Sequence, residues 1–452
     1  MTRLVVVSNR LPSLERGGHV GEPEVPVGGL ASALVSALKQ RPGSVWFGWN
    51  GRVIAPAERR RRTRRRASDF DLVGLPLTAD ELSGYYLGHC NETLWPLFHS
   101  MPGEVRLDER AQARYASVQS RFARAILPTL APDDLVWVHD YHLLPLAREL
   151  RRGGFGGRIG FFLHTPWPPF EMWQMLPQPA DLLASMLDYD LVGFHVLGFL
   201  DNYVYACRRL FGASWDGFHL RIGERVQRAA AYPVGIDPGV FAASAGPRTS
   251  EVKRALLGDD ASAASIVLGV DRLDYTKGIP LRIRAFEEFL RRAPAWRKKV
   301  IYVQVAAPSR TELPGYRKLK GDVEALAGRV NGELGEHDWT PVRYLYRSYG
   351  RDFLARLYAE ADVGLVTPLR DGMNLVAEEY VAAQHEADPG VLLLSRLAGA
   401  AQILKGALTV NPYAIGEVAD AIGRALEMPL AERLALHERL LPVVRSRTAD
   451  AW

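Results

Sequence analysis

The sequence is poor in cysteine and contains no long hydrophobic run. Its 452 residues include two cysteines, Cys90 and Cys207, so neither a disulfide framework nor a cysteine metal cluster is expected. No stretch approaches the roughly 20 apolar residues that a membrane-spanning helix needs. The N-terminus enters a strand-like run, Leu4-Val5-Val6-Val7, without the core of a signal peptide. We therefore expect a cytoplasmic protein with no membrane partner.

The chain also lacks a general excess of positive charge. Its formal net charge is +5, but seven arginines crowd between Arg59 and Arg66, and without them the balance becomes −2. Because the basic character is local, the composition argues against a nucleic-acid partner. The arginine run is predicted to be a solvated loop, and an anionic partner for it is the alternative.

Several signatures of chemistry are missing. The sequence contains neither a Walker loop nor a Gly-x-Ser-x-Gly elbow, so ATP-type phosphoryl transfer is not expected. The glycines between Gly153 and Gly160 precede a strand instead of following one, and we interpret them as a loop. The carboxylates of Asp188-Tyr189-Asp190 also lie before a strand, which is the wrong end for a ligand site in an α/β sheet. The sequence therefore predicts no bound metal.

What is present is a repeated alternation of strands and helices. At 452 residues, with 48% hydrophobic and 24% charged residues, the chain is an ordinary globular protein long enough for two domains. The proline- and glycine-rich stretch from Tyr232 to Pro238 suits a boundary. We predict an α/β protein with two Rossmann-like domains, residues 1–235 and 236–452, whose mostly parallel sheets face a central cleft. The last helix is a candidate to pack back on the first domain.

One stretch, Thr367 to Tyr380, organises the second half of the chain. It follows an apolar strand, Asp362 to Val366, and leads into a helix that begins near Val376. A strand, a glycine-containing turn and a helix form the recurring anion site of α/β proteins, because free backbone N–H groups and the helix dipole favour negative charge. A plain turn with an aspartate near a helix start is the alternative for this stretch taken alone.

Other residues indicate the same kind of ligand. Cations recur at the predicted ends of strands, at Arg10, Arg272, Lys277 and Arg310, where open α/β sheets border their ligand crevice. Ordinary salt bridges could explain each one singly, but together they indicate bound anionic groups. His164 ends another predicted strand. The pair Gly28-Gly29 precedes a helical stretch, where two glycines would let the backbone approach a ligand closely; a plain tight turn is the alternative.

A set of longer motifs resembles the trehalose-6-phosphate synthases, a family of retaining glycosyltransferases with the GT-B fold. In chain order these motifs are Val7-Ser8-Asn9-Arg10, Gly28-Gly29-Leu30, Trp46-Phe47-Gly48-Trp49, Leu94-Trp95-Pro96, His139-Asp140-Tyr141-His142, Gly160-Phe161-Phe162-Leu163-His164, Arg272-Leu273-Asp274-Tyr275-Thr276-Lys277-Gly278 and Asp371-Gly372-Met373-Asn374-Leu375-Val376. The resemblance covers nearly the whole chain. It implies transfer of glucose from a nucleotide diphosphate to glucose 6-phosphate.

The resemblance also implies a donor site. It assigns Arg272 and Lys277 to the donor diphosphate, and it places His164 and Asp371 around the transferred glucose together with Gly29, beside Gly28. These four charged or polar residues, His164, Asp371, Arg272 and Lys277, are the implied catalytic groups. Tyr349 falls where the family contacts the base. The donor segment comprises Leu375, Val376, Ala377, Glu378 and Glu379, with Glu379 on the ribose and backbone N–H groups on phosphate.

The acceptor site implied by the resemblance has six residues. Arg10 and Arg310 match the clamp on the acceptor phosphate. Tyr86, Trp95 and Asp140 match the sugar site, and Trp49 is expected nearby. No cofactor or metal is implied beyond the nucleotide-sugar co-substrate. UDP-glucose is the first choice for that co-substrate, and GDP-glucose and ADP-glucose stay open. A homo-oligomer also stays open.

The sequence departs from the family in one segment. Where the family reads Phe-His-Tyr-Arg after the tryptophan, this chain has Phe98-His99-Ser100-Met101, and Gln112 stands near an expected tryptophan, before Tyr115. This segment borders the acceptor pocket. It makes glucosylglycerol-phosphate synthase, which uses glycerol 3-phosphate, the alternative within the fold. A non-catalytic sugar-phosphate sensor is the alternative of another class.

Overall fold

The chain divides into two compact units, Met1–Pro233 with Trp452, and Val234–Ala451. The sequence predicted the boundary between residues 235 and 236. The structure, a computed structural model, describes residues 2–12, 14–15, 25–26, 34–35, 37–41, 43–58, 62–67, 69–246, 251–258 and 264–452. Within these ranges no helix is long and apolar enough to cross a membrane.

The first unit is built on one sheet of ten strands. Their order is β10-β11-β12-β9-β8-β7-β1-β4-β6-β5, and a separate antiparallel pair joins β2 to β3. The strands are β1 (Leu4–Arg10), β2 (Leu14–Glu15), β3 (Val25–Pro26), β4 (Val45–Ile54), β5 (Thr63–Ala67), β6 (Phe70–Thr78), β7 (Leu135–His139), β8 (Arg158–Phe162), β9 (Leu191–Phe194), β10 (Ser214–Trp215), β11 (His219–Ile222) and β12 (Arg225–Ala231).

The centre of this sheet is parallel and buried. β1 lies between β4 and β7 and is parallel to both, and β8, β9 and β12 continue the parallel series. The run Leu4-Val5-Val6-Val7 is almost fully buried, as expected for a strand covered on both faces. Because the central strands are parallel, their carboxyl ends share one edge of the sheet, and β1, β7 and β8 end there side by side.

Helices connect and cover these strands. A π-helical segment, Leu82–Leu94, carries many of the aromatic residues and continues into a short α-helix. In the part of the first unit that the structure describes, the α-helices with defined bounds are α1 (Ala79–Glu81), α2 (Trp95–Phe98), α3 (Glu109–Ile126), α4 (Leu146–Arg152), α5 (Phe170–Trp173), α6 (Pro179–Met186) and α7 (Leu197–Phe211).

The arginine run is not a loop throughout, so that prediction was wrong for its second half. Arg64, Arg65 and Arg66 lie in β5, which pairs antiparallel with β6 at the edge of the sheet. Arg64 donates to Asp71 on β6 at 2.5 Å, and Arg66 lies 3.6 Å from the same carboxylate. Alternation along a strand puts these two arginines on one face, so one buried aspartate holds both. Arg59–Arg61 lie outside the described residues.

The second unit has a six-stranded, fully parallel sheet in the order β15-β14-β13-β16-β17-β18. Its strands are β13 (Ser265–Arg272), β14 (Val300–Ala307), β15 (Val342–Leu345), β16 (Val363–Val366), β17 (Val391–Ser395) and β18 (Leu408–Val410). Its helices are α8 (Pro238–Ala245), α9 (Glu251–Leu257), α10 (Ile279–Arg292), α11 (Pro314–Leu334), α12 (Arg351–Glu360), α13 (Val376–Ala383), α14 (Ile415–Glu427) and α15 (Leu430–Ser446).

Candidate active site

In the first unit, Arg10 and Trp49 form a pair at the end of β1. Arg10 is the last residue of β1 and lies opposite Trp49 of β4 in the parallel register. Its exposed guanidinium stands 5.2 Å from the centre of the Trp49 ring. Gly51 lies beneath it, where an added Cβ would come within 3.2 Å of the guanidinium. The pairing holds a cation at the sheet edge while leaving its donors exposed.

An aromatic surface continues from this pair. The Trp49 ring lies 5.6 Å from Tyr86, and Tyr86 stacks on His142 with ring centres 6.0 Å apart. His142 also packs 3.9 Å from Tyr141, which lies 5.8 Å from Trp95. Tyr86 is half-buried and Trp95 is buried. Aromatic rings held in this way offer flat apolar faces with polar edges, which suits the faces of a sugar.

Asp140 links this surface to the next strand. It follows β7 with φ of +75°, a left-handed conformation that strains a non-glycine residue. Its N–H donates to the Phe162 carbonyl at 2.8 Å, and its Oδ1 accepts from the backbone N–H of His164 at 3.3 Å. Its other oxygen lies 3.9 Å from Nδ1 of His142. The carboxylate is half-buried and is therefore fixed beside both the aromatic surface and His164.

His164 lies just beyond the end of β8 in a group of buried rings. Its Nε2 is 3.1 Å from Nδ1 of His139, and its ring packs against Phe162, His195 and Trp452 with centres 4.8, 5.5 and 5.9 Å away. Burial, with help from the neighbouring histidines, holds the pKa of His164 well below its ordinary value. His164 is therefore neutral near pH 7 and can offer a hydrogen bond but not a positive charge.

In the second unit, the predicted cations lie after β13. Arg272 is the exposed last residue of that strand, and Lys277 ends a short 3₁₀ turn, Tyr275–Lys277, that Asp274 caps. Gly278 then adopts φ of +67°, and a Cβ there would meet Leu369 at 2.9 Å. The Leu369 N–H donates to the Thr276 carbonyl at 2.8 Å. The turn that carries Lys277 is thus joined to the loop that begins at Thr367.

That loop holds Asp371 in a network of hydrogen bonds. Lys277 forms an ion pair with Oδ2 of Asp371, and Asn374 donates to the same oxygen at 3.0 Å. Oδ1 accepts from the Gly372 N–H at 2.9 Å. Asn374 has a φ of +73°. The backbone of Gly372 packs closely against Gly399, because a Cβ added to Gly399 would lie 1.9 Å from the Gly372 carbonyl oxygen. Asp371 and Lys277 are therefore positioned together.

The loop ends at the N-terminus of α13. Leu375 is its N-cap residue and makes no side-chain cap, so the N–H groups of the first turn are not covered by it. Val376 and Ala377 begin the helix, followed by Glu378 and Glu379. Burial raises the pKa of Glu378 to about 8, with Arg447 opposing, and raises the pKa of Glu379 to about 7, with Tyr358 and Arg351 opposing. Because these raised pKa values leave both carboxyl groups partly protonated near pH 7, they offset less of the positive charge at the helix N-terminus than ordinary carboxylates would.

Arg310 lies in a compact cluster after β14. It donates to Oδ2 of Asp274 at 2.6 Å and to the Tyr316 hydroxyl at 2.7 Å, and that hydroxyl donates to the same aspartate oxygen at 2.9 Å. The Arg310 side chain is 7% exposed and its backbone has φ of +46°. Asp274 therefore fixes Arg310 and also caps the turn that carries Lys277.

Tyr349 lies between β15 and α12, and its ring packs against two side chains. The Phe353 ring lies 4.4 Å away at 13°, and the Arg347 guanidinium stands 5.1 Å from the Tyr349 ring centre. The remaining predicted donor residues, Gly28 and Gly29, lie outside the described residues.

The structure thus brings the predicted residues together in two groups. In the first unit, a continuous series of contacts joins Arg10, Trp49, Tyr86, Asp140 and His164, and Trp95 joins the series through Tyr141. In the second unit, Arg272, Lys277, Asp371 and the start of α13 surround the ends of β13 and β16, and Arg310 and Tyr349 follow the ends of the neighbouring strands β14 and β15.

Sequence reasoning missed one buried residue of the second group, Arg282. It donates to Thr367 Oγ1 at 3.0 Å and to the Lys277 carbonyl at 2.9 Å, and it pairs with Asp271 in a site where the two side chains are 1% and 2% exposed. A signal was present in the sequence. Arg282 occupies the apolar face of α10, in step with Ile279, Ile283 and Phe286, where an arginine has no reason to be unless it is paired.

A metal site does not emerge from the described residues. They contain no group of three or more histidine, cysteine, aspartate or glutamate side chains that could hold an ion. Asp188 and Asp190 are bound to arginines instead, at 3.0 Å from Arg148 and 2.9 Å from Arg151. Cys90 and Cys207 are buried and are not joined in a disulfide.

Comparison with known proteins agrees with this geometry. The family model for Glycosyltransferase family 20 matches residues 2–452, and the chain belongs to that family. The trehalose-6-phosphate synthase of Sinorhizobium fredii is 44% identical over 455 residues, an alignment covering 100% of this chain and 97% of the relative. The resemblance seen in the sequence motifs is thereby confirmed.

Solved structures confirm the predicted fold class. A UDP-forming α,α-trehalose-phosphate synthase from Burkholderia xenovorans, in complex with glucose-6-phosphate, superposes with a TM-score of 0.92 at 38% identity, covering 100% of this chain and 98% of that one. A relative from E. coli bound with UDP-2-fluoro glucose gives 0.92 at 39% identity, covering 100% and 97%. Glycosyl transfer with retention has been studied in another solved trehalose-6-phosphate synthase.

Proposed function

We propose that this protein transfers glucose from UDP-glucose to glucose 6-phosphate with retention, giving α,α-trehalose 6-phosphate and UDP. The observation that carries the proposal is the group formed by Arg272, Lys277, Asp371 and the start of α13, which no side chain caps. Such a group suits a sugar diphosphate, and the family membership supports it. The second unit is then the nucleotide-sugar-binding domain, and the first unit is the acceptor-binding domain.

Charge stabilisation is the main catalytic contribution in this proposal. Breaking the bond between the glucose C1 and the diphosphate leaves negative charge on UDP, which Arg272, Lys277 and the helix N–H groups stabilise without reorganisation. Tyr349 faces the base, and Glu379 accepts hydrogen bonds from the ribose. His164 and Asp371, with Gly28 and Gly29, border the transferred glucose.

The acceptor is held by residues of a different character. Arg10 and Arg310 bind the phosphate of glucose 6-phosphate through charge-assisted hydrogen bonds. Trp49, Tyr86 and Trp95 line its sugar ring, and Asp140 accepts from a hydroxyl group. Asp274 supports this assignment, since it holds Arg310 in place and offsets the cost of burying its charge when no phosphate is bound.

Retention follows a front-face course in this account. Both oxygens of Asp371 already accept hydrogen bonds from Lys277, Asn374 and Gly372, which makes this carboxylate a poor nucleophile. The acceptor hydroxyl attacks C1 on the face that UDP leaves. Its proton passes to the departing phosphate oxygen, so that one C–O bond breaks and one forms. No metal takes part, because the cations and helix N–H groups supply the positive charge.

The test is a product analysis on the purified protein after exhaustive chelation. We expect stoichiometric UDP and a phosphorylated disaccharide whose two anomeric protons both show the α configuration by NMR. An inverted linkage, or UDP release without disaccharide, would contradict the proposal. Turnover that disappears on chelation and returns with a divalent ion would contradict the metal-free course alone.

A further inference from the structure

We infer that His139 is a positioning residue that fixes the tautomer and orientation of His164. The inference rests on the proposed function, in which His164 borders the transferred glucose. His139 is the last residue of β7, in register with Phe162 of β8, so it lies beside the strand end that His164 follows. Its Nδ1 lies 3.1 Å from Nε2 of His164.

A hydrogen bond between two imidazoles couples their protons. Burial lowers the pKa of His139 to about 3, and the pKa of His164 is also well below its ordinary value, so both rings are neutral near pH 7. A neutral imidazole has one N–H and one acceptor nitrogen, and one ring must therefore donate while the other accepts. Whichever tautomer His139 adopts, His164 must adopt the complementary one.

The surroundings of His139 determine the direction of the bond. His139 is fully buried, and its Nε2 has no hydrogen-bond partner among the described residues. If His164 donated, His139 would carry its proton on that isolated Nε2, and buried N–H groups without an acceptor are rarer than unsatisfied acceptors. The geometry therefore assigns the proton to Nδ1 of His139, which donates to His164. His164 then carries its own proton on Nδ1, as a donor for a sugar hydroxyl.

Packing keeps the donor ring in place. The Trp137 ring lies 4.5 Å from His139, the His164 ring centre lies 5.3 Å away with the two planes inclined at 28°, and Trp452 lies 6.1 Å away. These contacts leave the ring of His139 little freedom to turn. Its role is therefore to hold His164 and not to meet the substrate.

Two variants separate this role from simple packing. His139→Phe keeps an aromatic ring and removes the donor, whereas His139→Asn places an amide N–H near the position of Nδ1. We expect His139→Phe to lower kcat about tenfold, the effect of losing one hydrogen bond at the reacting sugar. His139→Asn should recover most of that loss. The KM for glucose 6-phosphate and the affinity for UDP, which lacks the sugar, should stay unchanged in both. His437→Phe, which alters a buried histidine in the second unit, is the control and should leave kcat unchanged.

The direct measurement is NMR of the ¹⁵N-histidine-labelled protein without substrates. We expect a scalar coupling between Nδ1 of His139 and Nε2 of His164 in the unmodified protein, and a mixture of His164 tautomers in His139→Phe. Absence of the coupling, an unchanged His164 tautomer in His139→Phe, or no advantage of Asn over Phe would each overturn the inference. Normal turnover in His164→Phe would instead refute the role of His164 in the proposed function. The scalar coupling does not depend on turnover, so it would still test the inference about His139.

Discussion

The buried pair of Arg282 and Asp271 offers a test in which stability and activity separate. Replacing Arg282 with methionine leaves Asp271 as a buried carboxylate without its cation, and it removes the donors to Thr367 and Lys277. Breaking one side of a buried pair costs about 3–5 kcal/mol. For a domain of the size of the second unit, that corresponds to a loss of roughly 6–20 °C in its Tm.

The double variant Arg282→Met with Asp271→Leu should behave differently. Removing both charges restores most of the stability, because a buried ion pair and an apolar pair of similar volume are often equivalent. Turnover should not return. The Lys277 carbonyl and Thr367 Oγ1 still lack the guanidinium that fixes them, and we expect kcat to stay about tenfold low in both the single and the double variant.

The assay combines thermal unfolding followed by circular dichroism with steady-state kinetics on saturating substrates. Arg284→Met is the matched control, since Arg284 lies on the exposed face of the same helix and should change stability by less than about 0.5 kcal/mol. A single variant with an unchanged Tm would refute the argument about the buried charge. Full recovery of kcat in the double variant would refute the positioning of Lys277.

Three further results are expected. Lys277→Met should lower kcat on the order of a hundredfold or more, because it removes a fixed charge from the leaving diphosphate; a KM effect without a loss of kcat would contradict this. UDP should bind about tenfold more weakly at pH 6 than well above pH 7, because the pKa of Glu379 is about 7 and its ionised form accepts hydrogen bonds from the ribose hydroxyls. Calorimetry at several pH values should show this dependence in Glu378→Gln, and the dependence should be absent in Glu379→Gln. Arg310→Ala should raise the KM for glucose 6-phosphate roughly tenfold while the KM for UDP-glucose stays constant; Arg317→Ala, an exposed arginine on α11, should change neither.

Much of the fold was predictable because its strands are apolar runs. In each sheet a central strand lies where an apolar run predicted it: β1 contains the run Leu4-Val5-Val6-Val7, and β16 lies within the predicted strand Asp362 to Val366. The edge strand β5 was not predictable, because its arginines resemble a solvated segment and only pairing with β6 around Asp71 makes them a strand. The π-helical segment at Leu82–Leu94 also carries no periodic pattern that distinguishes it from an ordinary helix.

For the candidate site, motifs predicted which residues matter but not how they are held. Nothing in the sequence showed that Asp274 and Tyr316 fix Arg310, or that Asp371 pairs with Lys277. Backbone strain was equally hidden. Asp140, Arg310 and Asn374 are three of the five non-glycine residues with positive φ in the described part of the chain, and each adjoins the predicted chemistry. These features depend on contacts between distant segments, which no local pattern records.

The choice of acceptor distinguishes a synthase of trehalose 6-phosphate from one of glucosylglycerol phosphate. The segment from Ser100 to Gln112 departs from the family pattern. It comes directly after His99 in the sequence, and the His99 ring lies 4.0 Å from the ring of Trp95. The decisive measurement is kcat/KM for glucose 6-phosphate and for glycerol 3-phosphate at one fixed UDP-glucose concentration. We predict a higher value for glucose 6-phosphate, because Trp95, Tyr86 and Asp140 gain contacts with a sugar ring that glycerol cannot supply. A higher value for glycerol 3-phosphate would contradict the assignment of this protein as a synthase of trehalose 6-phosphate.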